Sequence, residues 1–222
     1  MKVSAIMPTF NQAEFIEEAI MSVVDQVDEL IVVDDGSTDR TASLVRSCFT
    51  EGISLIQHNK TFATAAAINT GFEQTRFDLV TWVSSDNIHT PDWREKLEAQ
   101  FTDNVGAVYS GYRYGLGGIR VSAVPYNPKR LIAEQDCYFG PSFLIRREVW
   151  EKAGDHRGRL SHDYDHWLRV EEACWDMGLS IIGISDPLCD YRTHDQRASL
   201  VRRHQYDAPI FQSEAERRRS AE

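Results

Sequence analysis

The chain has 222 residues, 42% of them hydrophobic and 26% charged. That fits one globular domain, or one with an elaborated end, able to bury roughly two thirds of its unfolded surface. Lys plus Arg total 24 against 34 Asp plus Glu, and the formal net charge of -10 excludes a protein that wraps nucleic acid, which needs a basic footprint. A nucleotide ligand stays open, because one metal ion neutralises a diphosphate locally.

Val3 to Met7 reads as a short buried strand. Asn11 to Val24 reads as a helix, with Asn11 as its cap and Glu14 reaching back three residues later. Phe15, Ile16, Ala19, Ile20 and Val23 then share one helical stripe. Leu30 to Val33 is the next strand, followed by the turn-rich Asp34–Asp39 and a helix from Thr41 to Cys48. A strand at Ile53–Ile56, a helix at Ala63–Gln74 and a strand at Leu79–Val83 continue the alternation. A helix starting near Pro91 and a strand at Val105–Tyr109 complete it. Short apolar strands alternating with amphipathic helices predict an α/β fold with a doubly wound, mostly parallel central sheet and helices on both faces. After Ser110 the pattern changes. Gly115, Gly117 and Gly118 between β-type residues predict a hairpin or mobile loop within Tyr112–Val124. Helices follow at Arg146–Lys152 and Asp163–Met177, then a strand at Ser180–Ile184 and a polar, arginine-rich segment at Arg202–Glu222.

Cys48, Cys137, Cys174 and Cys189 form no CxxC pair, so free thiols in a reducing compartment are expected. With no secretory leader and no apolar stretch of about 20 residues, the expectation is a soluble, cytoplasmic protein.

Ligands of such sheets bind beyond the carboxyl ends of the strands, so the residues after each strand carry the chemistry. These are Met7-Pro8-Thr9-Phe10-Asn11, Asp34-Asp35-Gly36-Ser37-Thr38-Asp39 and Ser84-Ser85-Asp86-Asn87. Asp39 precedes a helix and reads as a cap. Asp34 and Asp35 are adjacent carboxylates, which repel unless a cation or N–H donors offset them. A carboxylate at this rim can accept the imide N–H of uracil, thymine or guanine, a donor that adenine lacks. Asp86, beside hydroxyls and an amide, suits a hard divalent cation that keeps positions open for phosphate.

These residues carry a resemblance. VSAIMPTFN, LIVVDDGSTDRT, the AINTGF run and WVSSDN resemble the start of a family 2 glycosyltransferase of the GT-A fold. GPSFLIRREVWEKAG, HDYDHWLRV and YRTH are similar to that family's second half. The resemblance covers residues 1 to 200 as one GT-A domain: a nucleotide-sugar half at 1–110, a small acceptor-binding and catalytic half at 111–200, and a polar tail at 201–222. It implies an inverting transfer from a nucleotide diphosphate sugar (UDP foremost, GDP or dTDP otherwise) to an acceptor hydroxyl, with Mn2+ or Mg2+. Pro8, Thr9 and Phe10 would border base and ribose. Asp35 would contact the base, with Asp34 near the ribose and Ser85 at the nucleotide. Asp86 would bind the metal, and His194 would complete that site or touch the diphosphate. Asp163 would be the general base, with Asp165 competing for the role. Ser84 and His162 stand where the family has acidic residues, and Lys60-Thr61-Phe62 where it has a glycine soon after the Asn.

Two other enzyme classes lack their marks. A nucleotidyltransferase wants a Gly-rich basic loop after the first strand, and a dehydrogenase wants GxGxxG there. A nucleotide-sugar binding module without catalysis is the alternative that Ser84 and His162 raise. The acceptor, whether glycan, lipid-linked, protein or small molecule, is expected to be chosen by Tyr112–Tyr138. The tail, with Arg202, Arg203 and Arg217 to Arg219, reads as a solvated segment able to make weak contact with an anionic membrane surface.

Overall fold

The structure is a computed structural model that describes residues 1–48, 52–121, 139–158 and 162–194. Cys137, Ser161, the 122–138 part of the segment expected to choose the acceptor, and the tail at 201–222 lie outside the described residues.

The strands are β1 (Val3–Thr9), β2 (Glu29–Asp34), β3 (Ile53–Gln57), β4 (Leu79–Trp82), β5 (Ile88–His89), β6 (Val105–Tyr114), β7 (Ile119–Val121), β8 (Phe143–Arg146) and β9 (Ser180–Tyr191). The helices are α1 (Ile16–Val23), α2 (Thr41–Ser47), α3 (Thr64–Phe72), α4 (Trp93–Glu98), α5 (Arg147–Ala153) and α6 (His162–Asp176). They build one sheet in the order β3-β2-β1-β4-β8-β6-β9-β5, with β7 pairing the end of β6. β3, β2, β1 and β4 are mutually parallel, and β9 is parallel to β6. The antiparallel β8 lies between the two parallel groups. The expected doubly wound α/β sheet is therefore present.

The sequence period explains the two cores. Successive strand residues point to opposite faces. Val3, Ala5 and Met7 of β1 join α1, α2 and α4 through Ile16, Ile20, Val45, Trp93 and Leu97. Ile6 joins α3, α5 and α6 through Ile68, Trp150, Trp167 and Leu168 on the other face. Gly71 lets α3 close on β1, since a Cβ there would stand 2.4 Å from Ile6 Cγ2.

One local expectation is corrected. Asn11 does not cap α1, which begins at Ile16 with no side-chain cap. Asn11 instead has φ 51, and its Oδ1 accepts the Thr38 N–H at 2.8 Å. It ties the loop after β1 to the turn after β2. Asp39 stands one residue ahead of the N-cap of α2, Arg40, and closes the turn into the helix: its Oδ1 accepts from Thr41 N at 2.9 Å and Thr41 Oγ1 at 2.5 Å. The glycine-rich stretch forms the β6–β7 hairpin.

Candidate functional site

Parallel β1, β2 and β4 direct their carboxyl ends to one rim, and the residues following them fall into two neighbouring clusters. In the first, Pro8 and Thr9 are buried and Phe10 is exposed. The Thr9 hydroxyl is buried with no hydrogen-bond partner, a polar group that ordinarily finds one. Asp34 is fully buried and its carboxylate is spent inside the fold. Oδ1 accepts the Ser37 N–H at 3.0 Å, and Oδ2 accepts from Gln57 Nε2 at 3.1 Å.

Asp35 is the centre of this cluster. Oδ1 accepts from His58 Nδ1 at 2.7 Å and Phe62 N at 3.0 Å. Oδ2 accepts from Phe62 N at 3.1 Å and Ala63 N at 2.9 Å. His58 Nε2 lies 3.0 Å from Thr70 Oγ1 on α3. The loop that supplies these N–H groups is pressed onto the turn after β2: a Cβ on Gly36, whose φ is +82°, would meet the Lys60 carbonyl carbon at 2.9 Å. Ala63 holds φ 87 and ψ 161, a region essentially reserved for glycine. Lys60 is exposed, with Nζ 5.1 Å from the Phe62 ring centroid.

The second cluster gathers around Asp86. Its Oδ2 lies 3.0 Å from His194 Nε2, while His194 Nδ1 is buried and unpartnered. Arg192 holds the backbone here. Its Nε donates to Asp86 O at 2.9 Å, and its N–H donates to Asn87 Oδ1 at 3.1 Å. The same guanidinium reaches Glu18 of α1 at 2.5 Å and lies over Phe15, whose ring packs 4.4 Å from His194. Ser85 is buried beside them. Residues over a hundred positions apart in sequence thus meet at one corner. Among the described residues no group of three or more His, Cys, Asp or Glu is arranged to hold a cation.

Asp163 and Asp165 sit in the first turn of α6 and have opposite fates. The Asp165 side chain is 2% exposed. It accepts from Arg157 Nη2 at 2.8 Å and from Arg169 Nη2 at 2.7 Å. Arg169 also binds the Ala153, Gly154 and Asp155 carbonyls, so Asp165 is a structural clamp on the 153–158 segment. The Asp163 side chain is 42% exposed, and only its Oδ1 is buried, 2.6 Å from His162 Nδ1. His162 packs 6.0 Å from the Trp82 ring, which sets the start of α6 at the end of β4. Behind it lies a feature that sequence reading missed. His156, His162 and His166 form a buried cluster, with His156 and His166 stacked 3.8 Å apart. Burial, reinforced by charges on neighbouring His162 and Arg169, holds the His156 and His166 pKa values well below the usual 6.5. His58 was also missed, although it directly follows β3 and so meets the strand-end rule.

Among the described residues no helix is long and apolar enough to cross a membrane. The sequence model of Glycosyl transferase family 2 matches residues 4–157, which leaves Asp163 and His194 beyond the matched segment. A putative teichuronic acid biosynthesis glycosyltransferase, TuaG, of Bacillus subtilis is 31% identical over 201 residues, covering 86% of this chain and 78% of its own. An uncharacterized glycosyltransferase of Rickettsia typhi is 28% identical over 205 residues, and the match takes in 78% of this chain and 61% of the relative. The chain thus spans about three fifths of the length of that relative. Among solved structures, S. aureus TarS 1-349 in complex with UDP-GlcNAc superposes with TM-score 0.74 at 18% identity, over 93% of this chain and 62% of that one. Mannosyltransferase PcManGT of Pyrobaculum calidifontis, in complex with GDP-Man and Mn2+, gives 0.68 at 21% identity, over 97% and 68%. These likenesses make the α/β fold that of the GT-A glycosyltransferases. The strand-end motifs and the match over residues 4–157 place the chain in glycosyl transferase family 2.

Proposed function

We propose that this chain is a transferase that moves a sugar from a nucleoside diphosphate to an acceptor hydroxyl with inversion. The observation that carries the reading is the division of labour among the aspartates at one rim. Asp34 and Asp165 are consumed by internal hydrogen bonds and ion pairs. Asp86 and Asp163 keep part of their carboxylates accessible. Asp35, with Thr9, Pro8 and Phe10 around it, is the base and ribose site, and Asp34 shapes the turn that holds it.

Asp86 and His194 fit a divalent cation. They face each other, and the buried His194 Nδ1 leaves Nε2 as the nitrogen turned to the carboxylate. Two protein ligands completed by phosphate oxygens and water suit a metal that arrives with its substrate. The mixed oxygen and nitrogen set favours Mn2+ over Mg2+. When bound there, the ion would neutralise charge building on the leaving diphosphate. Arg192 keeps the Asp86 backbone in place. Asp163 takes the proton of the attacking hydroxyl, the role of a positioned base that contributes about 100- to 10,000-fold. The new bond joins acceptor oxygen to the anomeric carbon. The bond to the diphosphate oxygen breaks, and its electron pair leaves with the diphosphate. A single displacement inverts the anomeric centre. PcManGT, and the glucosyl-3-phosphoglycerate synthase of Mycobacterium tuberculosis captured with Mn2+, UDP and phosphoglyceric acid, support a donor of this kind.

Thermal shift with UDP, GDP and dTDP, each with and without manganese, tests the reading. Ligand at a hundredfold excess over its Kd stabilises by about 2.7 kcal/mol, a rise in Tm of about 5–10 °C for a chain of this size. The expected result is a manganese-dependent shift that Asp86→Asn loses. No shift with any of the three nucleotides would remove the donor-site assignment.

A further inference from the structure

The hydrogen bonds at Asp35 decide which base the proposed donor site can read. A carboxylate offers about four acceptor positions. His58 takes one on Oδ1, Ala63 takes one on Oδ2, and Phe62 N–H is shared between the two oxygens on the same side. What remains is the equivalent of one acceptor position. A uracil or thymine ring presents one imide N–H, at N3. Guanine presents N1–H together with its 2-amino group, a pair that needs two open acceptor positions. Adenine presents no imide N–H.

The occupancy is built in. His58 is anchored at both ends, because Thr70 Oγ1 lies 3.0 Å from Nε2 on the far side of the ring. A carboxylate only accepts, so the ring nitrogen facing Asp35, Nδ1, is the donor, and Thr70 Oγ1 serves Nε2 on the other side. Phe62 packs edge-on against the same ring, with centroids 5.2 Å apart. The loop is pressed onto the turn at Gly36, so its N–H groups cannot swing away without displacing Lys60.

We propose that the donor nucleotide carries a single-imide pyrimidine, uracil or thymine, and that His58 is the positioning residue that excludes guanine by occupying the second acceptor side of Asp35. This rests on the reading of Asp35 as the base contact.

The test measures Kd for UDP, dTDP, GDP and N3-methyl-UDP, with manganese, on the full chain and on His58→Phe and His58→Gln. Phe removes the donor and keeps an aromatic ring against Phe62, whereas Gln retains an N–H donor. The wild type is expected to bind UDP and dTDP about ten- to a hundredfold more tightly than GDP or N3-methyl-UDP, the worth of one hydrogen bond to a charged acceptor. His58→Phe should lose most of the discrimination against GDP, and His58→Gln should keep it. Thr70→Val, which frees the imidazole tautomer, should fall between them and serves if His58→Phe does not fold. A wild type that binds GDP as tightly as UDP, or a His58→Phe that discriminates as the wild type does, overturns the proposal and leaves the donor site standing. Absence of binding by every nucleotide, or indifference to N3 methylation, overturns the reading of Asp35 and this proposal with it.

Discussion

Lowering the pH from about 7 to about 5.5 is expected to destabilise the fold through three buried imidazoles. His89, His156 and His166 are 3%, 4% and 2% exposed. Burial holds His89 down to about 4, and holds the other two well below 6.5. In the unfolded chain each returns to about 6.5. Below that pH the unfolded state takes up protons that the folded state refuses. The stability contribution is therefore complete above 6.5 and drains away as pH falls toward the folded values. Integrating the linkage relation from pH 7 to 5.5 gives about 1 kcal/mol for His89, and His156 and His166 add losses of the same sign. Even the His89 share counts against the roughly 5–15 kcal/mol that holds a domain together. Urea unfolding at a series of pH values reads it directly, as a midpoint that falls with pH while the slope stays fixed. His89 packs 4.8 Å from the Trp93 ring, so His89→Phe should cut the loss by about 1 kcal/mol. Stability that stays constant to within about 1 kcal/mol across this window would refute the burial argument.

Ala63→Gly should stabilise the fold. It relieves about 1–3 kcal/mol of backbone strain at φ 87 and ψ 161, offset by about 0.5–1 kcal/mol of added chain entropy, while keeping the N–H bond to Asp35. Urea unfolding would show the sign. Asp163→Asn should leave UDP-dependent thermal shift intact and lower sugar transfer by about 100-fold or more, and undiminished turnover would remove Asp163 from its role. Asp165→Asn should instead cost about 1–3 kcal/mol of stability by weakening the bonds to the half-exposed Arg157 and the buried Arg169, visible as a lowered Tm before any kinetic effect is read.

Strand ends were legible because a buried parallel strand is a continuous apolar run and the turn after it is not. That alone located Asp34, Asp35 and Asp86. What the run of letters does not carry is the occupancy of each carboxylate. Asp34 and Asp35 are adjacent, yet one closes a turn and the other gathers a distant loop. The Arg169 partner of Asp165 lies at i+4 on the same helix and was readable as such, whereas Arg157 comes from the preceding segment. Asn11 misled because its side chain can cap a helix or bridge a turn, and Ser37 and Thr38 across the rim decided for the bridge. β8 was hidden because four residues of strand run directly into α5. β9 was read short at Ile184 because Asp186 and Pro187 break the pattern, and the sheet accommodates them with an irregular register against Ser110 and Gly111.

The pairing of Ile88 with Asp190 and of Asp86 with His194 has a consequence for the order in which the protein can be made. On the ribosome, β1 to β4 and their helices emerge first and contain every partner of the Asp35 carboxylate. The Asp86–His194 corner waits for the last strand to arrive. Long-range strand pairing is slow and leaves edges exposed in the interval. During that interval the growing chain shows the flank of β6 that β9 later covers, and a two-residue β5 with no neighbour. A nascent chain stalled before Ser180 would hold a finished Asp35 cluster and an Asp86 with no His194 to face. Its exposed β6 edge is the surface that a chaperone would have to shield.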